Sequence, residues 1–258
     1  PKSWGSGRGG TGSTVSAKSA SDLPTGFRVS AMRLIDFTDV AGAPLSFGSG
    51  RAENVIYYQM PQMGGFKLDL AYSTAPKSDD MDMLAASTLR KGQAYYVMPE
   101  FADGPWKVGY VYTDIKYDAA VTNVKSHKLY GGIEFRGFYV GLNYRTTKGK
   151  SATTGLDLAN NKAWALPISY KTGPHHFGVY WAKQGDDSVN AGDQKAKAVG
   201  IGYNYSLSKR TSVSLAYNKM DNASPNAAGV GGTSFEMGAN GGSGDGAEGF
   251  TARIGEDV

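Results

Sequence analysis

Cysteine is absent from the 258 residues, which excludes a disulfide framework and any thiolate metal site. Long apolar runs are absent too. No uncharged stretch approaches the ~18–20 residues that a membrane-spanning helix needs, so the chain carries no helical span. Histidine occurs three times and no nucleophile motif accompanies it, so nothing local points to a catalytic triad. The 27 Lys and Arg stand against 23 Asp and Glu, spread along the chain rather than gathered into the basic stripe of a nucleic-acid binder. Hydrophobic residues make up 40% and the mean hydropathy is −0.36. Taken alone, these values describe a soluble protein. A membrane β-barrel gives the same averages, because its apolar residues alternate with polar ones.

What is abundant is glycine, with 36 residues, and tyrosine, with 16. The glycine has no Gly-X-Y period, which excludes a collagen-like chain. Aromatics at 12% argue against disorder, which is poor in them. From Arg51 onward the chain is a series of alternating segments. One face carries Phe66, Leu68, Leu70 and Tyr72, and in the next segment Trp106, Val108, Tyr110 and Tyr112. Leu129–Phe135, Phe138–Tyr144, Trp164–Tyr170, Phe177–Trp181, Val199–Tyr205 and Val213–Tyr217 repeat the pattern. Alternation with period two is the signature of strands, since successive side chains point to opposite faces. The interleaved positions hold Lys67, Asp69, Lys107, Gly109, Gly132, Glu134, Gly141, Gly178, Gly200 and Gly202. Large apolar residues on one face, with small and polar ones on the other, suit either a barrel with a wet interior or a soluble sandwich.

The connections break that tie. Short turns at 61–65, 102–105, 136–137, 171–174 and 206–210 alternate with long polar stretches at about 74–92, 114–127, 146–162, 183–197 and 219–248. Up-and-down outer-membrane barrels have this rhythm of tight periplasmic turns and long external loops, whereas Greek-key sandwiches do not. Tyr72, Tyr112, Tyr144, Tyr170, Tyr205 and Tyr217 close the apolar faces, as an interfacial girdle requires. The fold expected is therefore an all-β, antiparallel up-and-down transmembrane β-barrel over 51–258, with eleven strands counted from Arg51, or twelve if 25–35 adds one. Residues 1–50 form a separate Gly/Ser-rich segment.

Two motifs resemble a known family. Arg51-Ala52-Glu53-Asn54-Val55-Ile56-Tyr57-Tyr58-Gln59-Met60-Pro61-Gln62-Met63-Gly64-Gly65-Phe66 is similar to the strand-turn-strand that follows the constriction loop of proteobacterial trimeric porins. Tyr203-Asn204-Tyr205-Ser206-Leu207-Ser208-Lys209-Arg210-Thr211 resembles their late periplasmic turn. The resemblance covers 51–258 and implies a sixteen-stranded barrel and a homotrimer embedded in outer-membrane lipid and lipopolysaccharide. It further implies passive diffusion of small hydrophilic solutes and ions, and an inward-folded acidic loop facing arginines on the wall. The departures are specific. The family's first five strands have no counterpart, the terminus is Val258 rather than an aromatic residue, and Tyr57 replaces a common basic residue. An open edge cannot face lipid, so the expectation is that this sequence is part of a longer chain.

On this reading Asp36 and Asp39, with Arg28 and Arg33 near them, are candidates for the constricting loop. Arg51, Lys67, Asp69, Lys107, Arg145 and Lys171 are candidates for the pore lining, and the slight cationic excess suggests a weak preference for anions. Other motifs carry less. Gly5-Ser6-Gly7-Arg8-Gly9-Gly10 satisfies GxGxxG without a preceding strand, and Gly12–Ser19 approximates a P-loop with Ala17 where glycine is needed. His175 and His176 are adjacent and point to opposite faces of a strand, so they cannot chelate together. Asp79, Asp80, Asp82, Asp186 and Asp187 read as solvated loop faces. No cofactor or metal is expected, and no nucleic acid. Two alternatives remain at this point. One is an outer-membrane barrel enzyme of lipase or protease type, with a Ser-His or acid-His pair near one rim. The other is a soluble all-β module using aromatic clusters to bind carbohydrate.

Overall fold

The computed structural model describes residues 55–74, 92–117, 122–151, 153–184, 196–208, 211–222 and 247–256. They form eleven strands: β1 (Val55–Gln59), β2 (Phe66–Ser73), β3 (Gly92–Asp103), β4 (Trp106–Tyr117), β5 (Thr122–Phe135), β6 (Phe138–Ser151), β7 (Asp157–Thr172), β8 (His175–Gln184), β9 (Ala196–Ser206), β10 (Thr211–Asn222) and β11 (Ala247–Glu256). All belong to one sheet in sequence order, β1 through β11, each strand antiparallel to the next. This is the up-and-down order that the alternation predicts, with the expected count of eleven.

Burial separates the two faces. Along β6 the pattern alternates strictly over most of the strand, with Phe138, Val140, Leu142 and Tyr144 exposed and Tyr139, Asn143, Arg145 and Thr147 buried. The same inversion runs across the sheet. Val108, Leu129, Val179, Trp181, Val199 and Ile201 lie exposed, while Asp69, Ser73, Lys128 and Ser169 are buried. Burying charge while exposing large apolar side chains is the reverse of what water selects. It fits a wall whose outer face meets hydrocarbon, and it overturns the soluble-sandwich alternative, which puts the large residues inside.

The outer face is layered. An aliphatic row, Val140, Ile168, Val179 and Ile201, runs across neighbouring strands in register. Aromatic layers flank this zone on both sides. Toward the short turns lie Phe138 stacked on Tyr170 at 4.2 Å and Phe177 against Tyr203 at 4.9 Å. Toward the other end lie Tyr72 against Tyr95 at 5.0 Å and Trp164 edge-on to Trp181 at 4.6 Å. The six tyrosines of the expected girdle thus divide between two levels, Tyr170 and Tyr205 near the turns and Tyr72, Tyr112, Tyr144 and Tyr217 away from them. On β4 the outward residues pass from Trp106 through Tyr112 to Asp114, about 27 Å along the strand at ~3.4 Å per residue. With a tilt of about 40° this crosses roughly 21 Å, close to the ~25 Å apolar band of such barrels.

Two expected long loops are mostly strand. β4 and β5 pair as far as Ile115 and Val124, and β6 and β7 pair out to Lys150 and Asp157, so the connections shrink to 118–121 and 152–156. The reason is physical. Beyond the lipid a strand needs no apolar face, so its alternation vanishes from the sequence while its backbone ladder continues.

The shortest turn, Arg136-Gly137, has both residues at positive φ, 49° and 82°. A two-residue hairpin of that hand requires this conformation, because it matches the twist of the flanking strands. Prolines sit inside two strands. The β3–β4 ladder skips the pairs around Pro99 and the β6–β7 ladder skips those around Pro167, while each proline stays in register with its other neighbour. The missing N–H is therefore confined to one side, and Pro167 does not end β7.

Candidate functional site

The inner face of β1–β6 gathers the charged side chains. On β2, Lys67 and Asp69 lie two residues apart and therefore share this face. Asp69 is fully buried. Its Oδ2 accepts a 2.6 Å hydrogen bond from Tyr57 Oη on β1, and Lys67 Nζ stands 4.0 Å from the same oxygen. A buried carboxylate is costly unless paired and hydrogen-bonded, and here both kinds of partner are present. Tyr57, which replaces a basic residue common in the resembling family, thus supplies a neutral donor to the acid.

One step along the wall, Lys67 on β2, Glu100 on β3, Gly109 on β4 and Tyr130 on β5 occupy a single cross-strand row. Tyr130 Oη donates a 2.6 Å hydrogen bond to Glu100 Oε2, crossing β4 to reach it. Lys107 Nζ lies 3.3 Å from the same carboxylate oxygen and 5.9 Å from the Tyr130 ring centroid. The crossing is possible only because position 109 has no side chain, since a Cβ there would collide with the Tyr130 ring. Gly132 lies under Tyr139 in the same way. These glycines serve as seats for tyrosine rings, so the inner wall is more aromatic than small-residue alternation suggests. Tyr96, Tyr130, Tyr139 and Tyr180 are all buried there, with Met98, Val111, Ile115 and Val124.

We expect Gly109→Ala to cost about 1–3 kcal/mol, the usual range for overpacking, by forcing Tyr130 off Glu100. Urea unfolding in detergent measures it. Adding Tyr130→Ala should recover part of the loss, giving a non-additive cycle.

The adjoining row holds two cations. Lys128 on β5 and Arg145 on β6 stand directly opposite each other, and both are buried. The described inner wall thus has carboxylates on β2 and β3, each with a lysine beside it, a Lys–Arg pair on β5 and β6, and Glu134 nearer the turn of β5, opposite Tyr139.

Of the residues singled out from sequence, Lys67, Asp69, Lys107 and Arg145 are on this face; Lys67 and Asp69 group with Tyr57, and Lys107 with Glu100 and Tyr130, the two groups adjoining where Lys67 stands opposite Glu100. Lys171 is exposed near the end of β7, beside the 173–174 turn, where its backbone N–H bonds Gly137 O at 2.8 Å. Asp36, Asp39, Arg28, Arg33 and Arg51 lie outside the described residues, as do the aspartates at 79, 80, 82, 186 and 187. Glu100 and Lys128 escape sequence reading for definite reasons. In β3 both faces are apolar or aromatic, with Tyr95 and Val97 exposed and Tyr96 and Met98 buried, so no period-two signal marks Glu100. Lys128 sits where the apolar alternation starts, beside a stretch that reads as loop.

Two of the three histidines, His127 and His175, belong to the other face. His127 Nδ1 shares a 2.6 Å hydrogen bond with Tyr110 Oη, and His175 Nδ1 one of 2.7 Å with Tyr203 Oη. His175 also packs among Phe177, Tyr203 and Tyr205, while His176, its neighbour in the strand, takes the opposite face.

A sequence model of the Gram-negative porins matches residues 3–225. The chain belongs to the Gram-negative porin family. The match takes in the Gly/Ser-rich segment that motif resemblance leaves out, and it places this porin in the bacterial outer membrane. No curated protein matches the chain significantly. Among solved structures, the anion-selective porin from Comamonas acidovorans superposes with a TM-score of 0.65 at 22% identity, over 84% of this chain and 64% of that one. A loop L8 deletion mutant of OmpT, an outer membrane protein of Vibrio cholerae, gives 0.61 at 13% identity, over 86% and 72%. The trimer form of in-vitro folded OmpT gives 0.54 at 13%, over 72% and 58%. These likenesses confirm the fold, and the porin spans 64% of the length of the Comamonas protein.

Proposed function

We propose that this porin forms a water-filled channel for passive diffusion of small hydrophilic solutes and ions, with a preference for anions, and that it works as a homotrimer. The observation that carries the reading is the inverted wall, with Lys67, Asp69, Glu100, Lys107, Lys128 and Arg145 inside and large apolar residues outside. Among the described inner-face residues, Lys67, Lys107, Lys128, Arg145 and Lys171 stand against Asp69, Glu100 and Glu134. Charges lining a channel between low-dielectric walls act strongly on permeant ions, so the cationic excess favours anions. The likeness to an anion-selective porin and to a trimeric form of OmpT supports the same reading. A channel needs no catalytic step. His127 and His175 face outward between aromatic rings, where a general base would meet lipid instead of substrate.

Planar-bilayer recording of the refolded chain tests the proposal. Stepwise ohmic conductance with an anion-favouring reversal potential in a salt gradient is expected. Absence of steps from folded protein overturns it.

A further inference from the structure

The adjacent histidines at the start of β8 divide between the two faces of the wall. His175 packs outward among Phe177, Tyr203 and Tyr205. His176, half-buried, takes the inner face at the end where the short turns lie. In the ladder it stands directly opposite Lys171 of β7 on one side and Asn204 of β9 on the other. Lys171 is exposed. Asn204 Oδ1 is buried and has no hydrogen-bond partner among the described residues. Lysine, imidazole and carboxamide thus form one row across three strands, spaced by ~4.8 Å. The row is well apart from the Lys128–Arg145 pair. Arg145 is level with Ala163, and Lys171 lies eight residues further along β7, about 27 Å at ~3.4 Å per residue.

Histidine is the residue whose ordinary titration changes its charge between about pH 5 and 8. Neutral imidazole offers one N–H donor, whereas imidazolium offers two. Protonated, His176 can donate to the Asn204 carboxamide oxygen and still present a second, charged donor beside the Lys171 ammonium. Two neighbouring cations with charge-assisted donors suit an oxyanion, whose several oxygens accept from both. No carboxylate of the flanking strands competes. Near the turns β7 brings Lys171 alone to this face, and β9 brings no titratable side chain among the described residues. On β8 itself the next inward residues are Gly178 and Tyr180. Glu134 is on β5, two strands away from β7. We propose that Lys171, His176 and Asn204 form a binding site for small oxyanions, filled when His176 is protonated. The inference rests on the channel reading and adds to it a second, pH-dependent station at the turn end of the pore.

The test uses the refolded full chain in planar bilayers, with chloride carrying the current and sulfate as the probe. Sulfate stays dianionic throughout, so any change with pH belongs to the protein. Chloride conductance is titrated with sulfate at about pH 8 and about pH 5.5, on either side of the ordinary histidine pKa near 6.5. At the acid pH sulfate should bind at least about fivefold more tightly, the factor for one unit charge about 4 Å from an ion even in water. His176→Gln should abolish that pH dependence, and His175→Gln should keep it. Lys171→Gln should weaken sulfate binding at both pH values. Equal sulfate sensitivity of wild type at the two pH values overturns the proposal, and decides the matter even if a variant fails to fold. A pH dependence that survives in His176→Gln also overturns it, by pointing to groups elsewhere on the wall. Channels that conduct but ignore sulfate refute the site alone, whereas folded protein without conductance steps refutes the channel reading and the site with it.

Discussion

Lys128→Gln/Arg145→Gln is expected to lower the anion-to-cation permeability ratio by about 3- to 10-fold at 0.1 M salt, and the change should shrink at 1 M. The estimate follows from Coulomb's law. A unit charge roughly 8 Å from a permeant ion, at an effective dielectric constant of about 20, shifts its energy by ~2 kcal/mol before screening. The Debye length is about 10 Å at 0.1 M and 3 Å at 1 M, so salt attenuates the effect strongly. Lys128 and Arg145 are the sharpest choice because they stand opposite each other on adjacent strands, which concentrates two cations at one level of the wall. Neutral replacements avoid burying two like-charged carboxylates. The reversal potential of single channels in a tenfold salt gradient measures the ratio. An unchanged potential, with conductance intact, would show that these residues do not face the permeation path.

Val140→Arg should destabilise the folded state by about 2–4 kcal/mol in lipid bilayers, the range for arginine near the midplane of a barrel's lipid face. Val140 is 41% exposed and lies in the aliphatic row with Ile168, Val179 and Ile201. Water would tolerate arginine at such a position, since surface substitutions away from special features usually fall within about 0.5 kcal/mol. Hydrocarbon would not, because the guanidinium must either lose its hydration or distort the bilayer to keep it. Urea titration of protein folded into phosphatidylcholine vesicles checks the value. Thr146→Arg, six residues along the same face and next to Lys148 on it, should cost far less. Equal and small effects at both positions would contradict a lipid-facing wall.

Much of this was legible in the sequence. Phe138-x-Val140-x-Leu142-x-Tyr144 announces a two-faced strand by composition alone, and Arg136-Gly137 announces its hairpin, because side-chain period and turn conformation are local properties. The inner placement of Lys67, Asp69, Lys107 and Arg145 follows from the same parity. Other features lie beyond one-dimensional pattern. Pro167 reads as a break, yet β7 runs through it because the lost N–H falls on one side of a ladder held from the other. The stretches 114–127 and 146–162 read as loops because polar strands outside lipid lose their alternation.

Sequence by itself determined the strand order, the two faces of the wall and the polarity of each, since these depend only on alternation and on which turns are short. Tertiary structure decided which strands stand in which register, and so which side chains meet. Tyr57 reaches Asp69 and Tyr130 reaches Glu100 across the space above Gly109. Lys128 faces Arg145, and His176 faces Asn204. The residues in these encounters, apart from the Gly109 seat itself, are 12 to 30 positions apart along the chain. Their meeting is set by strand register, which alternation alone leaves undetermined to within a shift of two residues.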